Sequence, residues 1–278
     1  MVPGDFAFLS RLVHRRAGIV LTESRTGLIA QRLKPVMRRS GFKDLEQVIG
    51  ELRLGRETLA ASVTEAMTVR DSSFFRDAEL FRRLGKDILP ALLEKRAREK
   101  RLRIWSAACA TGQEAYSIAM MLDNLGLVAE GWAIDLIATD ISAEAVTRAE
   151  RGHYSFFETQ RGLSEGDLAV WFRAERGGYA IADHIRRMVS FRRFNLMDSY
   201  GWLDDLDLVL CRNVLIYFDG VTRQSVLERM ADAMTPQGVV VLGETETMPR
   251  NDVFSELPGG GGLYTRAKAV PVRLSAAV

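Results

Sequence analysis

Leu102-Arg103-Ile104-Trp105-Ser106-Ala107-Ala108-Cys109-Ala110-Thr111-Gly112-Gln113-Glu114 is the stretch whose reading decides the fold. Leu102–Ser106 is a short apolar run with a β-branched residue and a tryptophan, which reads as a buried strand. Small residues follow at once, and Glu114–Leu125 then has the apolar spacing of a helix. Strand, tight loop and helix together make the first half of a strand–helix–strand unit. Small side chains let the backbone approach a ligand closely, and the helix start offers free N–H groups. The loop is not the G-x-G-x-x-G dinucleotide fingerprint. Nor is it a phosphate loop, because the Gly-Lys-Ser/Thr ending is missing. This favours a ligand other than a pyrophosphate, although alone the loop is better explained as a plain strand-to-helix turn.

The same rhythm continues outward. Ile134–Asp140 reads as a strand, Ala143–Arg151 as a helix and Asp207–Cys211 as a strand. Val221–Met234 reads as a helix closed by Thr235-Pro236-Gln237-Gly238, and Val239–Leu242 as a strand. A long helix over about 77–99 precedes them. Alternating strands and helices predict an α/β, Rossmann-like, mostly parallel doubly wound sheet. Between 152 and 195 the rhythm breaks. Tyr154, Phe156, Phe157, Trp171-Phe172, Tyr179, Ile181, Val189 and Phe191 suggest short strands around Gly177-Gly178, an inserted antiparallel β subdomain over about 153–192. Upstream, residues 5–68 carry helical stripes with stops at Gly18, Ser40-Gly41 and Gly55. The expected organisation is a small, basic, all-α N-terminal domain (1–70), an α/β domain (71–268) and a loose tail (269–278).

The 278 residues are 47% apolar and 27% charged, enough to build a core, so disorder is excluded as the main state. No uncharged apolar run approaches the roughly 20 residues of a membrane span. The first residues lack the basic-then-apolar order of a secretory leader. Two cysteines and three histidines exclude a zinc ribbon or disulfide scaffold, no metal is expected, and a reducing cytoplasm is the expected compartment. The net charge of +2 hides an asymmetry: residues 1–43 hold nine Lys and Arg against Asp5 and Glu23. Arg25, Arg32 and Arg39 recur every seven residues, so they share one helix face. Such a block is either a face for an acidic partner or a solvated arginine-rich surface. It is short and lacks interleaved aromatics, which argues against nucleic acid.

Three further groups could carry chemistry. Asp140, at the end of the second strand, can accept hydrogen bonds from a ribose diol or cap the following helix, a role for which Ser142 competes. Arg212 and Asn213 follow a buried strand at the same carboxyl edge, where open α/β sheets bind ligands, and Tyr217 lies just beyond. Ser72-Ser73-Phe74-Phe75-Arg76-Asp77 joins the two modules, either closing over a cofactor or serving as a hinge with a hydrophobic anchor.

SSFFRD, SAACATGQEAYSIAM, ATDIS with Ala149 to Tyr154 as A-x-x-G-x-Y, FNLMD and DLVLCRNVLIYFD together resemble the CheR family, the chemotaxis receptor methyltransferases. The resemblance covers essentially the whole chain. It implies transfer of a methyl group from S-adenosylmethionine to glutamate side chains of chemoreceptor cytoplasmic helices, giving glutamyl methyl esters and S-adenosylhomocysteine. It also implies a cofactor shell of Ser72, Arg76, Ala108 to Gly112, Glu114, Asp140, Asn195, Leu196, Arg212 and Asn213. Within it Glu114 approaches the methionyl amino group, Asp140 the ribose hydroxyls and Asn195-Leu196 the adenine. The chain departs from the family pattern at Arg70, where Asn is usual, at Ala110 for Ser and at Ala115 for Pro. Gly243-Glu244-Thr245-Glu246 stands for a G-H-S-E-like run.

The implied chemistry suits the residues. A glutamate is ionised at pH 7, so no general base is required. Holding oxygen about 3–3.5 Å from the methyl carbon in a water-excluding site supplies most of the rate. Arg76 and Tyr217 are the candidates for orienting the incoming carboxylate. Arg25, Arg32, Arg38 and Arg39 are the candidates for steering a glutamate-rich receptor bundle. The short turn Arg176-Gly177-Gly178-Tyr179 implies no receptor-tail pentapeptide tether. The alternative is a cofactor-binding sensory module of a chemotaxis-like pathway without turnover.

Overall fold

The computed structural model describes residues 2–249 and 253–267, so the tail reading for 269–278 lies outside the described residues. It divides into two units: residues 1–69 with 216–223, and residues 70–215 with 224–278.

The first unit holds four helices, each with a local reason for its ends. α1 (Pro3–Ala17) opens with proline in its first turn, where a missing N–H costs nothing, and stops at left-handed Gly18. α2 (Thr26–Ser40) stops at left-handed Gly41 in the same way. Pro35 lies inside it. α3 (Leu45–Arg53) is capped by the Asp44 carboxylate, which accepts from Gln47 N–H. α4 (Glu57–Ala66) completes the set. Leu9, Val13, Leu33, Val36, Val48, Ile49 and Val63 bury one stripe of each helix.

Ile216–Arg223 joins this unit from far along the chain. Val20 N–H donates to the Tyr217 carbonyl at 2.8 Å, and Ile19 bridges Phe218 antiparallel. His14 Nε2 pairs with the Asp219 carboxylate, whose other oxygen accepts from Thr222 N–H at 2.7 Å. These bonds hold Asp219 below the usual carboxylate range, chiefly through the Thr222 N–H and then through His14.

The second unit opens with a helical stretch that is not one helix. α5 (Ala78–Arg83) passes through a π-helical segment, Leu84–Ile88, into α6 (Leu89–Lys95). The single helix expected over 77–99 is interrupted because Pro90 has no N–H for the carbonyl of Lys86. Two strand–helix pairs then begin the sheet framework: β1 (Arg101–Ala107) with α7 (Gln113–Asn124), and β2 (Ala133–Asp140) with α8 (Ala143–Arg151).

The insertion follows as β3 (His153–Ser155), α9 (Phe156–Thr159), α10 (Glu165–Trp171), β4 (Phe172–Glu175), β5 (Gly178–Ile181) and α11 (Asp183–Arg187). β3, β5 and β4 form a separate antiparallel sheet. One boundary of the sequence reading is corrected here. Val189–Arg193, β6, was assigned to the insertion ending near 192, but it pairs parallel with β2 at the edge of the main sheet. The short helices α9 and α10 were not foreseen. Each starts with a serine capping box, Ser155/Glu158 and Ser164/Asp167, a legible local signal.

The chain returns through β7 (Leu206–Cys211), α12 (Gly220–Ala233), β8 (Met234–Leu242), β9 (Phe254–Glu256) and β10 (Leu263–Arg266). The turn expected at 235–238 is instead part of β8, which pairs with β7 from Met234 onward through a register shift between Leu206 and Leu208. The main sheet has seven strands in the order β6-β2-β1-β7-β8-β10-β9, parallel except around β10. Ile104, Leu136, Leu208, Leu210, Val239 and Val241 belong to one buried cluster with Leu84, Ile88, Leu92, Ile118 and Met120. Beyond exposed Arg101, β1 and β7 are buried along their whole length, as a sheet covered on both faces requires. The chain runs from β1 outward to β6 on one side, then restarts at β7 on the other. The order therefore reverses between β1 and β7, which is where open α/β sheets place their ligand crevice.

Candidate active site

Register brings the site residues together. Thr139, Ala107, Cys211 and Leu242 lie side by side across β2, β1, β7 and β8. The next residue on each strand is Asp140, Ala108, Arg212 and Gly243, so four separated segments meet at one sheet edge.

The β1–α7 loop is held in an unusual conformation. Ala108, Ala110 and Gly112 have φ of 58°, 50° and 94°. A non-glycine residue in the left-handed region costs about 1–3 kcal/mol, so the surroundings must hold it there. They do so from three sides. Cys109 N–H donates to the Thr139 carbonyl at 2.8 Å, and Ala110 N–H to the Asp140 carboxylate at 2.9 Å. Tyr154 O–H donates to the Thr111 carbonyl at 2.7 Å. A Cβ on Gly112 would come within 2.9 Å of Ala149 Cβ and 3.2 Å of the Phe191 ring, so only glycine fits.

Asp140 is 7% exposed. One carboxylate oxygen accepts from Ala110 N–H and the other from Ser142 N–H at 2.8 Å, while the Ser142 hydroxyl caps α8. The capping role weighed for Asp140 therefore falls to Ser142. β6 delivers Asn195 and Leu196 to the same corner, since Phe194 N–H donates to the Asp140 carbonyl at 2.9 Å. Asn195 accepts from Met197 N–H, and Leu196 is buried with its carbonyl held by Arg229. Trp105, Phe194 and Tyr200 stack edge-on beside them.

On the other side of the loop sits an ion cluster of one buried arginine and two half-buried carboxylates. The Arg212 side chain is 2% exposed. Its guanidinium donates to Glu114 at 3.0 Å, to the Asp77 carboxylate and to the Arg76 carbonyl at 2.9 Å. Glu114 also accepts from the Ser106 hydroxyl at 2.7 Å. Two carboxylates thus share one guanidinium, and the cluster carries a net charge of −1. Asp77 (φ 67°) and Phe75 (φ 45°) lie on the strained strap 70–77, which Phe75 N–H ties to Ser117 Oγ at 2.9 Å. Arg70 ties the same strap to Glu144 at 2.7 Å, the contact made where the family pattern has Asn. Ser72 and Arg76 lie half-buried on it, with Arg76 reaching the Asp71 carbonyl. Beyond Arg212, Asn213 has φ 58°, and its N–H donates to Glu246 at 2.6 Å. Glu246 also accepts from Gly243 N–H at 2.8 Å.

The two cysteines are free and buried, and burial pushes both thiols well above their usual range, Cys109 further through Asp140 and Glu114. They fill space as small apolar groups.

Residues 70–260 match the family "CheR methyltransferase, SAM binding domain", and residues 4–68 match "CheR methyltransferase, all-alpha domain". The chain belongs to the CheR methyltransferase family. "Chemotaxis protein methyltransferase 1" of Pseudomonas aeruginosa is 36% identical over 271 residues, 95% of this chain and 98% of its own length. "Chemotaxis protein methyltransferase Cher2" of Pseudomonas putida is 36% identical over 251 residues, 88% of this chain and 90% of its own. "Chemotaxis protein methyltransferase 1" of Vibrio cholerae is 35% identical over 248 residues, 88% and 89%.

CheR membership makes S-adenosylmethionine the cofactor, and the residues present fit it. The net negative Asp77–Glu114–Arg212 cluster suits an ammonium group. Asp140 stands at the carboxyl end of β2 beside the loop, a buried carboxylate of the kind that accepts ribose hydroxyls at such an edge. Of the residues singled out in the sequence, the second unit of this CheR protein gathers all the cofactor candidates from Ser72 to Asn213. Tyr217, Arg25, Arg32, Arg38 and Arg39 belong to the first. Arg25 precedes α2 rather than lying on it, and Arg32 donates to the Met67 carbonyl at 2.9 Å. Sequence reasoning alone does not single out Asp77, Tyr154 or Glu246. Each lay inside a motif already noted, directly beside a residue that was chosen or at the end of the run.

Proposed function

We propose that this protein transfers a methyl group from S-adenosylmethionine to glutamate carboxylates of chemotaxis receptors, in the cytoplasm. The observation that carries the reading is the full-length likeness to chemotaxis protein methyltransferases, spanning both domain families of the chain. When bound, the cofactor supplies an electrophilic methyl group on a positively charged sulfonium. The chain's own residues then bind, orient and exclude water.

Glu114 and Asp77 present negative charge to an ammonium, with Arg212 holding their geometry. Asp140 accepts the ribose hydroxyls with its carboxylate. Leu196 and the Asn195 amide frame the adenine, and Ala108, Gly112 and Ser72 give the backbone close approach. Asn213, fixed by Glu246, closes the far side. Arg76 and Tyr217 orient the acceptor carboxylate, which arrives ionised, so no side chain removes a proton. The rate arises from positioning and dehydration rather than acid–base work. A binding module without turnover is not favoured, because the relatives carry methyltransferase names over nearly the whole chain.

The test is methyl incorporation from labelled cofactor into a receptor cytoplasmic fragment. Label released as methanol by mild base is expected, as for a glutamyl ester. Base-stable label, or none, would overturn the reading.

A further inference from the structure

The antiparallel sheet of the insertion meets the cofactor crevice at one fully buried side chain, Tyr154 of β3. Its two ends do different things. The hydroxyl donates to the Thr111 carbonyl at 2.7 Å, on the loop between β1 and α7. The ring meets the Phe74 ring edge-on, with centroids 4.9 Å apart, on the strap 70–77. Burial pushes the phenol well above its usual range, so it stays a neutral donor.

Both contacts are backed from behind. Phe74 is also fully buried, and it meets Phe172 of β4 edge-on at 5.5 Å. Edge-on aromatic pairs attract beyond the area they bury, so the insertion grips the strap at a defined place. A Cβ on left-handed Gly162 would strike the Phe74 carbonyl, so the backbone of the insertion also bears on the strap there. On the other side, a Cβ on Gly112 would come within 3.2 Å of the Tyr154 hydroxyl. Three outside bonds hold the left-handed loop: two come from β2, and the third is this hydroxyl from the insertion.

The two surfaces that Tyr154 touches carry the two carboxylates that share Arg212. Glu114 stands in the first turn of α7, three residues past Thr111. Asp77 stands three residues past Phe74. A shift of loop or strap therefore passes along a short piece of backbone to one carboxylate of the pair. We propose that Tyr154 is a positioning residue for the methionyl half of the cofactor: it fixes the spacing of loop and strap, and with it the separation of Glu114 and Asp77. This rests on the reading that these carboxylates face the methionyl ammonium. The ribose end, held at Asp140 by β2, does not depend on that spacing.

The experiment is calorimetric titration with S-adenosylhomocysteine and with 5′-methylthioadenosine, which keeps the adenine, ribose and sulfur but lacks the amino acid. Tyr154→Phe removes the hydroxyl and keeps the ring. Phe74→Leu removes the ring contact and keeps the hydroxyl. Each should weaken S-adenosylhomocysteine at least fivefold and 5′-methylthioadenosine less than twofold. A general loss of structure would weaken both ligands by the same factor. Equal losses for the two ligands, or no loss, in either variant would overturn the assignment. Glu114→Gln checks the underlying reading and should discriminate between the ligands in the same direction. If Glu114→Gln weakens both equally, the carboxylate reading fails and takes the proposal with it. If Glu114→Gln discriminates and Tyr154→Phe does not, the assignment of Tyr154 fails alone.

Discussion

Replacing Asp140 by Asn keeps its shape and removes its charge. In the structure its two oxygens accept from Ala110 N–H at 2.9 Å and Ser142 N–H at 2.8 Å. An amide can accept at only one end, so one of these donors would face an NH2 group. Leaving a buried donor unsatisfied costs about 1–3 kcal/mol, which should appear as a lower thermal midpoint. The variant also loses the charge-assisted acceptor proposed for the ribose. That bond is worth about 1.5–3 kcal/mol, or roughly a 10–150-fold weaker Kd for S-adenosylhomocysteine. Calorimetric titration measures the Kd. A ligand lacking the ribose hydroxyls separates the two effects. It should bind the wild type poorly, and Asp140→Asn should weaken it by no more than the loop disturbance alone. A folded Asp140→Asn that binds S-adenosylhomocysteine within twofold of wild type would refute the reasoning.

Other outcomes follow from the same geometry. Arg212→Met leaves the half-buried Asp77 and Glu114 without their cation and should cost up to about 3 kcal/mol in urea unfolding, with part regained by adding Glu114→Gln. Tyr217→Phe should slow turnover in steady-state methylation while the affinity for S-adenosylhomocysteine, titrated directly, stays the same. Glu at both Arg38 and Arg39 should raise the receptor KM at low salt, and the gap to wild type should close as salt is added, because exposed charges are screened beyond roughly 10 Å at 0.1 M. Asp219 has its pKa depressed below the ordinary 3.8 by Thr222 N–H first and His14 next. Its ionised form therefore stabilises the fold above about pH 4, and that contribution disappears as pH falls through the folded value. Exposure limits it to below about 1 kcal/mol. Urea midpoints of wild type and Asp219→Asn should differ at pH 7 and draw together as the pH falls below the ordinary carboxylate range.

Much of the α/β framework was legible because its signals are local. The apolar run before Ala107, the small loop and the α7 stripe fall within a residue of their observed bounds, as do β2, α8 and β7. What escaped depends on distant partners. β6 is a short alternating run, and nothing in Val189–Arg193 says which sheet it joins; its parallel pairing with β2 decides that. β9 and β10 are three and four residues long, below the length at which periodicity speaks. For the site, Asp140 and the loop were legible because strand ends at a reversal of strand order are where ligands bind. Arg212 read simply as a polar residue at the right edge. Its guanidinium is committed to Asp77 and Glu114, 135 and 98 residues away, and no local pattern encodes such a shared cation.

The return of Ile216–Arg223 to the helical unit bears on how the protein is made. A ribosome that has released residues 1–69 has not yet supplied the strand partner of Ile19 or the carboxylate for His14. At about 5–20 residues per second, the missing piece emerges roughly 7–30 s later. Throughout that interval the four helices exist without their closing segment, with Ile19 and its neighbours open to water or to a chaperone. The order of synthesis thus delays completion of the first unit until β1 to β7 of the second have emerged. An excised fragment ending at Val69 would remain in that unfinished state, and a fusion that adds back residues 216–223 would be the smallest chain able to leave it.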